Sequence, residues 1–205
     1  MPSLVSDLSK TECDELFRDL FYLNMAEFKA FCDKHAIPYV ILFETEDGKV
    51  KRSRDKDRQK IIIERVTHYL KTGNIKPPTL FSKEVVDLNG LPAEISATDR
   101  LYYGCYEKKN PKMVSLLKNL TSGEFKNGAI ARILCREFWS NGKAPTFREY
   151  AKAWLKARDE YSLNQHPEAA YLTDLSKGNA KSDWKELRKE KAAKVIKILA
   201  TIRPG

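Results

Sequence analysis

Residues 39–60, "YVILFETEDGKVKRSRDKDRQK", interrupt a largely helical pattern with two extended runs that meet at Asp47-Gly48. The first run is apolar and the second is basic, and Asp-Gly is a preferred pair for a type I′ hairpin turn. We therefore predict a β-hairpin at this point. A helix should follow it, with Asp55 or Asp57 as its N-cap and Gly73 closing its C-terminus.

Helical periodicity dominates on both sides of the hairpin. Apolar residues recur at helical spacing over 11–21 and 24–35, and Asn24 and Glu27 have the spacing of a capping box. Asn110-Pro111 and the capping-box pair Thr146 and Glu149 mark two further helix starts. Helices are also predicted over 127–142 and from about residue 182, with two or three short strands between 80 and 109. The predicted fold class is mainly α with minor β, and Trp139 and Trp154 are predicted to lie in the core.

Composition excludes several classes of protein. No apolar run approaches the roughly 18 residues that a membrane span needs, and the N-terminus lacks the layout of a signal peptide. We expect no membrane partner and a cytoplasmic location, nucleoid-associated in a bacterium or nuclear in a eukaryote. The four cysteines form no CxxC pair and the three histidines no cluster. We therefore predict free thiols, no metal and no cofactor.

Charge is distributed unevenly along the chain. Residues 1–48 contain four basic and ten acidic residues, a net charge of −6, whereas residues 49–205 contain 33 basic and 18 acidic residues, a net charge of +15. Together these give the overall charge of +9. The basic part begins inside the predicted hairpin, at Lys49. Such a balance favours a polyanion as partner, nucleic acid above all.

Six cations of this region form the predicted binding site, which we name the basic arm. Cationic side chains on a strand attract phosphates, and a helix start adds backbone N–H groups and the positive end of the helix dipole. On a strand, the even-numbered members of the arm would project to one side. The basic arm comprises Lys51, Arg52, Arg54, Lys56, Arg58 and Lys60.

The segments "YLNMAEFKAFCDKHAIP" and "DKDRQKIIIERVTHYLKTG" resemble the two helices of the SAP-like helix–extension–helix module, a small nucleic-acid-binding unit. Members of that family usually join the helices by a short glycine-containing turn, where this chain has a hairpin. The lysine that precedes the second helix in the family falls near Gln59. The resemblance covers about residues 20–73 and implies contacts with the backbone and minor groove of duplex DNA. Its apolar and Arg positions are matched by Leu23, Phe28, Phe31, Ile37, Ile62, Arg65, Val66 and Leu70.

More loosely, "FKNGAIARILCREFWSNGKAPTFREYAKAWL" resembles an uncharacterised helical domain that often follows SAP-like modules in bacterial proteins, which implies a bacterial or phage source. With the linker-like segment "NIKPPT", this predicts three parts. They are a SAP-like module with an inserted hairpin (1–73), a linker (74–79) and a helical domain of unknown role (80–205). We expect weakly sequence-specific binding to duplex DNA and no enzymatic activity.

Three other functions remain open. RNA is an alternative polyanion, and the basic arm could instead dock an acidic protein in an adaptor role. Asp99, Glu107 and Lys109 faintly match the Asp…Glu-x-Lys pattern of metal-dependent nucleases, although that pattern is short and degenerate.

The last helix is a second basic surface, with acids at spacings that can pair with its cations. Its cations are Lys181, Lys185, Arg188, Lys189, Lys191, Lys194 and Lys197. No motif indicates a small-molecule substrate.

Overall fold

The computed structural model describes residues 3–107, 109–160 and 180–203, and the side chains of the last helix from residue 185 onward. Within these residues the chain is mainly α-helical with a small sheet, which confirms the predicted fold class. No helix in the described part of the chain is long and apolar enough to cross a membrane. The chain divides into two compact units.

Unit 1 consists of Met1–Val40, Asp55–Pro78 and Ser162–Gly205. Its helices are α1 (Lys10–Asp19), a short 3-10 turn (Leu20–Tyr22), α2 (Met25–Lys34), α3 (Gln59–Thr72) and α7 (Ala180–Thr201). The predicted capping box at Asn24 and Glu27 is confirmed, and Gly73 ends α3 with a φ of 70°, a conformation that glycine adopts readily. The core of this unit includes Leu16, Leu20, Phe28, Phe31, Ile62, Val66, Leu70, Val195 and Leu199.

Unit 2 consists of Ile41–Arg54 and Thr79–Tyr161. It contains α4 (Pro111–Leu120), α5 (Ala129–Ser140), α6 (Phe147–Asp159) and the short strand β3 (Leu80–Phe81). Asn110 caps α4, and Thr146 forms a capping box with Glu149 at the start of α6, as predicted. Trp139 and Trp154 are buried, which confirms their predicted place in the core. That core also includes Ile41, Phe43, Phe81, Leu101, Phe147 and Tyr150.

The predicted hairpin forms strands β1 (Val40–Glu44) and β2 (Val50–Lys56). The sheet order is β2-β1-β3, and β3 pairs in parallel with β1, with Leu42 opposite Leu80. Between residues 80 and 109 the described extended structure amounts to β3 and two isolated bridges, Val86 with Tyr103 and Arg100 with Thr146.

The compact units differ from the predicted three-part division in two respects. Residues 41–54 of the hairpin belong to unit 2, because Ile41 and Phe43 are buried in its core. Helix α7 belongs to unit 1, where Val195 and Leu199 are buried. The segment 74–79 has no regular structure, and the chain passes from unit 1 to unit 2 at its end.

Candidate nucleic-acid interface

Strand β2 carries the first part of the basic arm on an exposed face. From Arg52 onward, exposed cations alternate with half-buried residues: Arg52, Arg54 and Lys56 are exposed, whereas Ser53 and Asp55 are half-buried. In a pleated strand, side chains two residues apart point to the same side at a separation of about 6.6 to 6.8 Å. Arg52 and Arg54, both in unit 2, therefore project to the same side of β2. Lys51 is exposed as well.

The tip of the hairpin is a three-residue loop and not the predicted two-residue type I′ turn. Gly48 N–H donates to the Thr45 carbonyl at 2.9 Å, and Thr45 N–H donates to the Lys49 carbonyl at 2.9 Å. Gly48 has a positive φ of 76°, whereas Asp47 is not among the described residues with positive φ, which a type I′ turn would require. The pattern is that of a type I turn followed by a glycine bulge.

Asp47 offsets the cation nearest to the tip. Lys49 Nζ lies 2.7 Å from Asp47 Oδ2. Hydrogen bonds from Lys49 and from the Thr45 hydroxyl lower the pKa of Asp47 to about 2, so this carboxylate is charged at any physiological pH. The positive charge of the hairpin is therefore concentrated along β2 beyond the turn.

Asp57 does not cap α3, contrary to the prediction. It is buried and accepts from Arg65 Nη1 at 2.5 Å, and Arg65 is buried as well. The same guanidinium nitrogen donates to the Pro38 carbonyl at 2.9 Å, and Asp57 N–H donates to the Tyr39 carbonyl at 2.9 Å. These bonds, all within unit 1, hold the chain that enters the hairpin against the chain that leaves it. They also bury the carboxylate of Asp57 and pair it with a cation outside the basic arm.

The N-cap of α3 is Arg58, which makes no side-chain capping hydrogen bond. A cation thus stands where an acceptor side chain is usual, at the positive end of the helix dipole. Lys60, in the first turn, is exposed and Arg58 is half-buried. The side-chain amide of Gln59 donates to the carbonyl of Phe21 at 3.1 Å and to the carbonyl of Leu23 at 2.7 Å. The start of α3 is therefore fixed against the turn that precedes α2.

The six residues of the basic arm are divided between the two units. Lys51, Arg52 and Arg54 belong to unit 2. Lys56, Arg58 and Lys60 belong to unit 1, where Lys56 ends β2 and the other two lie at the start of α3. The two groups are consecutive in sequence, and the boundary between the units falls between Arg54 and Asp55.

Helix α7 uses part of its positive charge inside unit 1. Arg188 donates to the Tyr22 carbonyl at 3.0 Å and to Glu27 at 2.5 Å, and Lys191 lies 3.0 Å from Asp19. The predicted pairing along the helix is observed between Glu190 and Lys194. Lys185, Lys189 and Lys197 are exposed, whereas the side chain of Lys181 lies outside the described residues.

The nuclease-like residues have local structural roles. Asp99 accepts from the Ser96 N–H at 2.6 Å, and Glu107 accepts from the Asn110 amide at 3.3 Å. Lys109 is exposed. The described residues contain no group of three or more His, Cys, Asp or Glu that could hold a metal ion. The nuclease hypothesis, like the expected lack of enzymatic activity, stays a prediction.

The four cysteines are free thiols. Burial raises the pKa of Cys32 and of Cys135 to about 12, and that of Cys105 to about 11. Because the thiolate is the reactive form of cysteine, these three thiols are expected to be inert at neutral pH. They contribute to packing and not to the chemistry of a site.

Sequence patterns indicated the basic arm but missed two residues that support it. Arg65 lies on the apolar face of α3 with Ile62 and Val66, and a charged residue on such a face signals a buried partner. Nothing in the sequence identifies Asp57 as that partner. Gln59 gives no signal either, because the backbone carbonyls that it binds lie 36 and 38 residues earlier in the chain.

No protein-family model, curated protein or solved structure matches this chain. The SAP-like resemblance therefore remains a sequence-based prediction, and function has to be inferred from the chemistry of the residues themselves.

Proposed function

We propose that this protein binds double-stranded DNA through phosphate contacts made by the basic arm, with weak sequence specificity. The observation that carries the proposal is the buried pair of Asp57 and Arg65. Of the two acids that interrupt residues 49–60, Asp57 is buried and paired with Arg65, a cation that lies outside this stretch. The surface charge of this stretch is therefore more positive than its sequence suggests.

The start of α3 supports the same function. A helix N-terminus favours anions, and a cationic N-cap strengthens that preference. An Asp at the N-cap would repel an anion, and a Ser would accept a hydrogen bond from the N–H groups that could otherwise bind one. Arg58 costs helix stability relative to a capping residue. A polyanion at this position would compensate for that cost.

The sequence resemblance favours duplex DNA as the polyanion. The predicted SAP-like resemblance implies duplex contacts made before the second helix, where Lys56 and Arg58 lie, with Lys60 in the first turn of α3. All six arm residues are Lys or Arg, side chains suited to phosphates. Affinity should thus depend strongly on salt and weakly on sequence.

Charge reversal of the arm tests the proposal. In a variant with Arg52, Arg54, Arg58 and Lys60 all changed to Glu, we expect binding of a labelled duplex to be lost in an anisotropy titration. For the unchanged protein, six phosphate contacts predict a slope of log K against log salt of about −5, and any residual binding of the variant at low salt should have a slope no steeper than about −2.

A matched control separates the site from overall charge. Reversal of four exposed cations elsewhere, Lys118, Arg148, Lys152 and Lys197, lowers the net charge by the same eight units, from +9 to +1. This control should keep most of the affinity at physiological salt. Equal losses in both variants, or unchanged affinity in the arm variant, would refute the proposal, and preferential binding of an RNA competitor would replace duplex DNA by RNA.

A further inference from the structure

A cavity of 580 Å³ lies within unit 2, apart from the basic arm. Its size is in the range of small-ligand sites, and aromatic rings and charged groups of both signs meet around it. It is lined by Glu84, Arg100, Tyr102, Phe138, Gly142, Lys143, Ala144, Pro145 and Glu149.

Backbone hydrogen bonds hold the walls of this cavity in place. Leu101 N–H donates to the Pro145 carbonyl at 2.7 Å, and Phe147 N–H donates to the Asp99 carbonyl at 3.0 Å, so two walls are joined directly. The third wall follows the end of α5, where Lys143 N–H donates to the Phe138 carbonyl at 2.9 Å. A preformed cavity loses little entropy when a ligand binds.

Two aromatic side chains at the cavity, Tyr102 and Phe138, are half-buried, whereas most aromatic residues of this unit are buried. Their partly exposed rings offer a surface on which a planar ring can stack. Stacking between rings adds to the apolar contact that an aliphatic ligand would make, so the rings favour an aromatic ligand.

The charged groups at the cavity further restrict the chemical class of ligand that fits it. Arg100 donates to the Ala144 carbonyl at 2.8 Å, which fixes its guanidinium at the cavity. Hydrogen bonds from the backbone and hydroxyl of Thr146 lower the pKa of Glu149, and a hydrogen bond from Ser82 lowers that of Glu84. Both carboxylates are thus ionised acceptors, and they would repel a ligand that is only an anion. The ligand should combine an anionic group with hydrogen-bond donors.

We propose that this cavity binds an unpaired nucleotide. The base would stack on Tyr102 or Phe138, its amino or imino groups would donate to Glu84 or Glu149, and the phosphate would be bound by Lys143 and Arg100. The choice of a nucleotide among aromatic anions rests on the proposed nucleic-acid function; the cavity itself is independent of the basic arm. The protein would then hold duplex phosphates with one surface and an extruded or single-stranded nucleotide with another.

Titration of the full-length protein with the four 5′-ribonucleoside monophosphates tests the inference. We expect saturable amide shifts in NMR spectra for residues 100–102 and 142–144 with at least one of the four. Lys143→Glu should weaken that binding roughly 10-fold, the usual effect of losing a charged hydrogen bond. Phe138→Leu, which keeps an apolar side chain in place, should weaken it about 5-fold through lost stacking.

The matched control is Lys152→Glu, an exposed lysine of α6 that does not line the cavity, for which we expect a change below about 2-fold. Equal effects of Lys143→Glu and Lys152→Glu, shifts confined to other residues, or no saturable binding would overturn the inference. The four-residue arm variant should bind nucleotides as the unchanged protein does, and loss there would likewise overturn it. Nucleotide binding without duplex binding would refute the proposed function and leave the cavity site standing.

Discussion

Arg65 and Asp57 form a buried ion pair at the base of the hairpin, and both side chains are only 5% exposed. A buried pair is not in itself strongly stabilising, because both charges lose their hydration. Removal of one partner is costly, since it leaves the other charge buried without compensation. The main effect of the pair is therefore to hold residues 38–39 next to residue 57, and its net contribution to the free energy of unfolding is small.

We expect Asp57→Asn to lower the free energy of unfolding by about 3 kcal/mol, because Arg65 keeps its buried charge without a carboxylate. The double variant Asp57→Asn, Arg65→Met should recover part of this loss, since no buried charge remains. Urea unfolding followed by circular dichroism measures both. Asp14→Asn, an exposed aspartate of α1, is the control and should change stability by less than about 0.5 kcal/mol.

His35 is a second buried ionisable residue of unit 1. Its Nδ1 lies 3.1 Å from the Tyr69 hydroxyl, its ring lies 4.3 Å from the Phe31 ring, and Nε2 has no hydrogen-bond partner among the described residues. Burial lowers the pKa of His35 below its ordinary value of 6.5, and the charge of Lys34 lowers it further. The unfolded chain therefore takes up this proton at a higher pH than the folded protein.

This difference predicts that the protein loses stability as the pH falls through about 6.5, by at most about 1.4 kcal/mol per pH unit from His35. The loss stops once the pH is below the lowered pKa of the folded state. We expect His35→Gln to flatten the dependence between pH 7.5 and 5.5 in urea unfolding. His68→Gln serves as the comparison, and an unchanged slope in His35→Gln would contradict the assignment.

At the scale of elements, the start of α3 has a cation at the N-cap in place of a side chain that accepts a capping hydrogen bond. A serine at the N-cap accepts a backbone hydrogen bond, which Arg58 does not do. The same position carries one of the arm cations. Stability and nucleic-acid affinity should therefore respond in opposite directions to one substitution.

We expect Arg58→Ser to raise the free energy of unfolding by about 0.5 to 1 kcal/mol and to reduce the salt slope of duplex binding by about 0.9. Thermal melting and an anisotropy titration over salt give the two values. Arg58→Lys keeps the charge but adds no capping side chain. It should change the free energy of unfolding and the salt slope by less than half of the amounts expected for Arg58→Ser. A variant that gained both stability and affinity would show that Arg58 does not contact phosphate.

At the scale of the whole molecule, α7 completes a core whose other helices lie more than a hundred residues earlier. Val195 and Leu199 are buried in unit 1, and Arg188 and Lys191 bind residues of the segment 19–27. The core of unit 2, by contrast, is formed by residues from 41–54 and 79–155. Loss of α7 should thus damage one unit and spare the other.

We expect a chain ending at Glu160 to keep unit 2 folded while unit 1 opens, because its apolar core would face water. Hydrogen exchange with mass spectrometry should show rapid exchange over 10–34 and 59–72 and continued protection over 129–159. The full-length variant Ile196→Ala, changed at an exposed position of α7, should keep the native pattern. Protection of 10–34 in the shortened chain would contradict this prediction.

Local features of the sequence determined the helices and most of their ends. Capping boxes at Asn24 and Thr146, the Asn110-Pro111 start and the Gly73 end act within one helical turn, so they can be recognised without the rest of the chain. The charge break at Lys49 and the cations of the basic arm are equally visible in sequence. The turn at Asp47-Gly48 was located correctly, but its type depends on how the two strands are paired.

The tertiary structure decided what each element packs against and which charges stay at the surface. Contacts between segments distant in sequence decide that α7 belongs to unit 1 and that residues 41–54 belong to unit 2. The pairing of Asp57 with Arg65 depends instead on which of several possible partners each charge finds in the folded chain. Apolar periodicity states that a face must be buried but not against which other face. Only the folded chain selects the partner, because shape and burial are settled by all elements together.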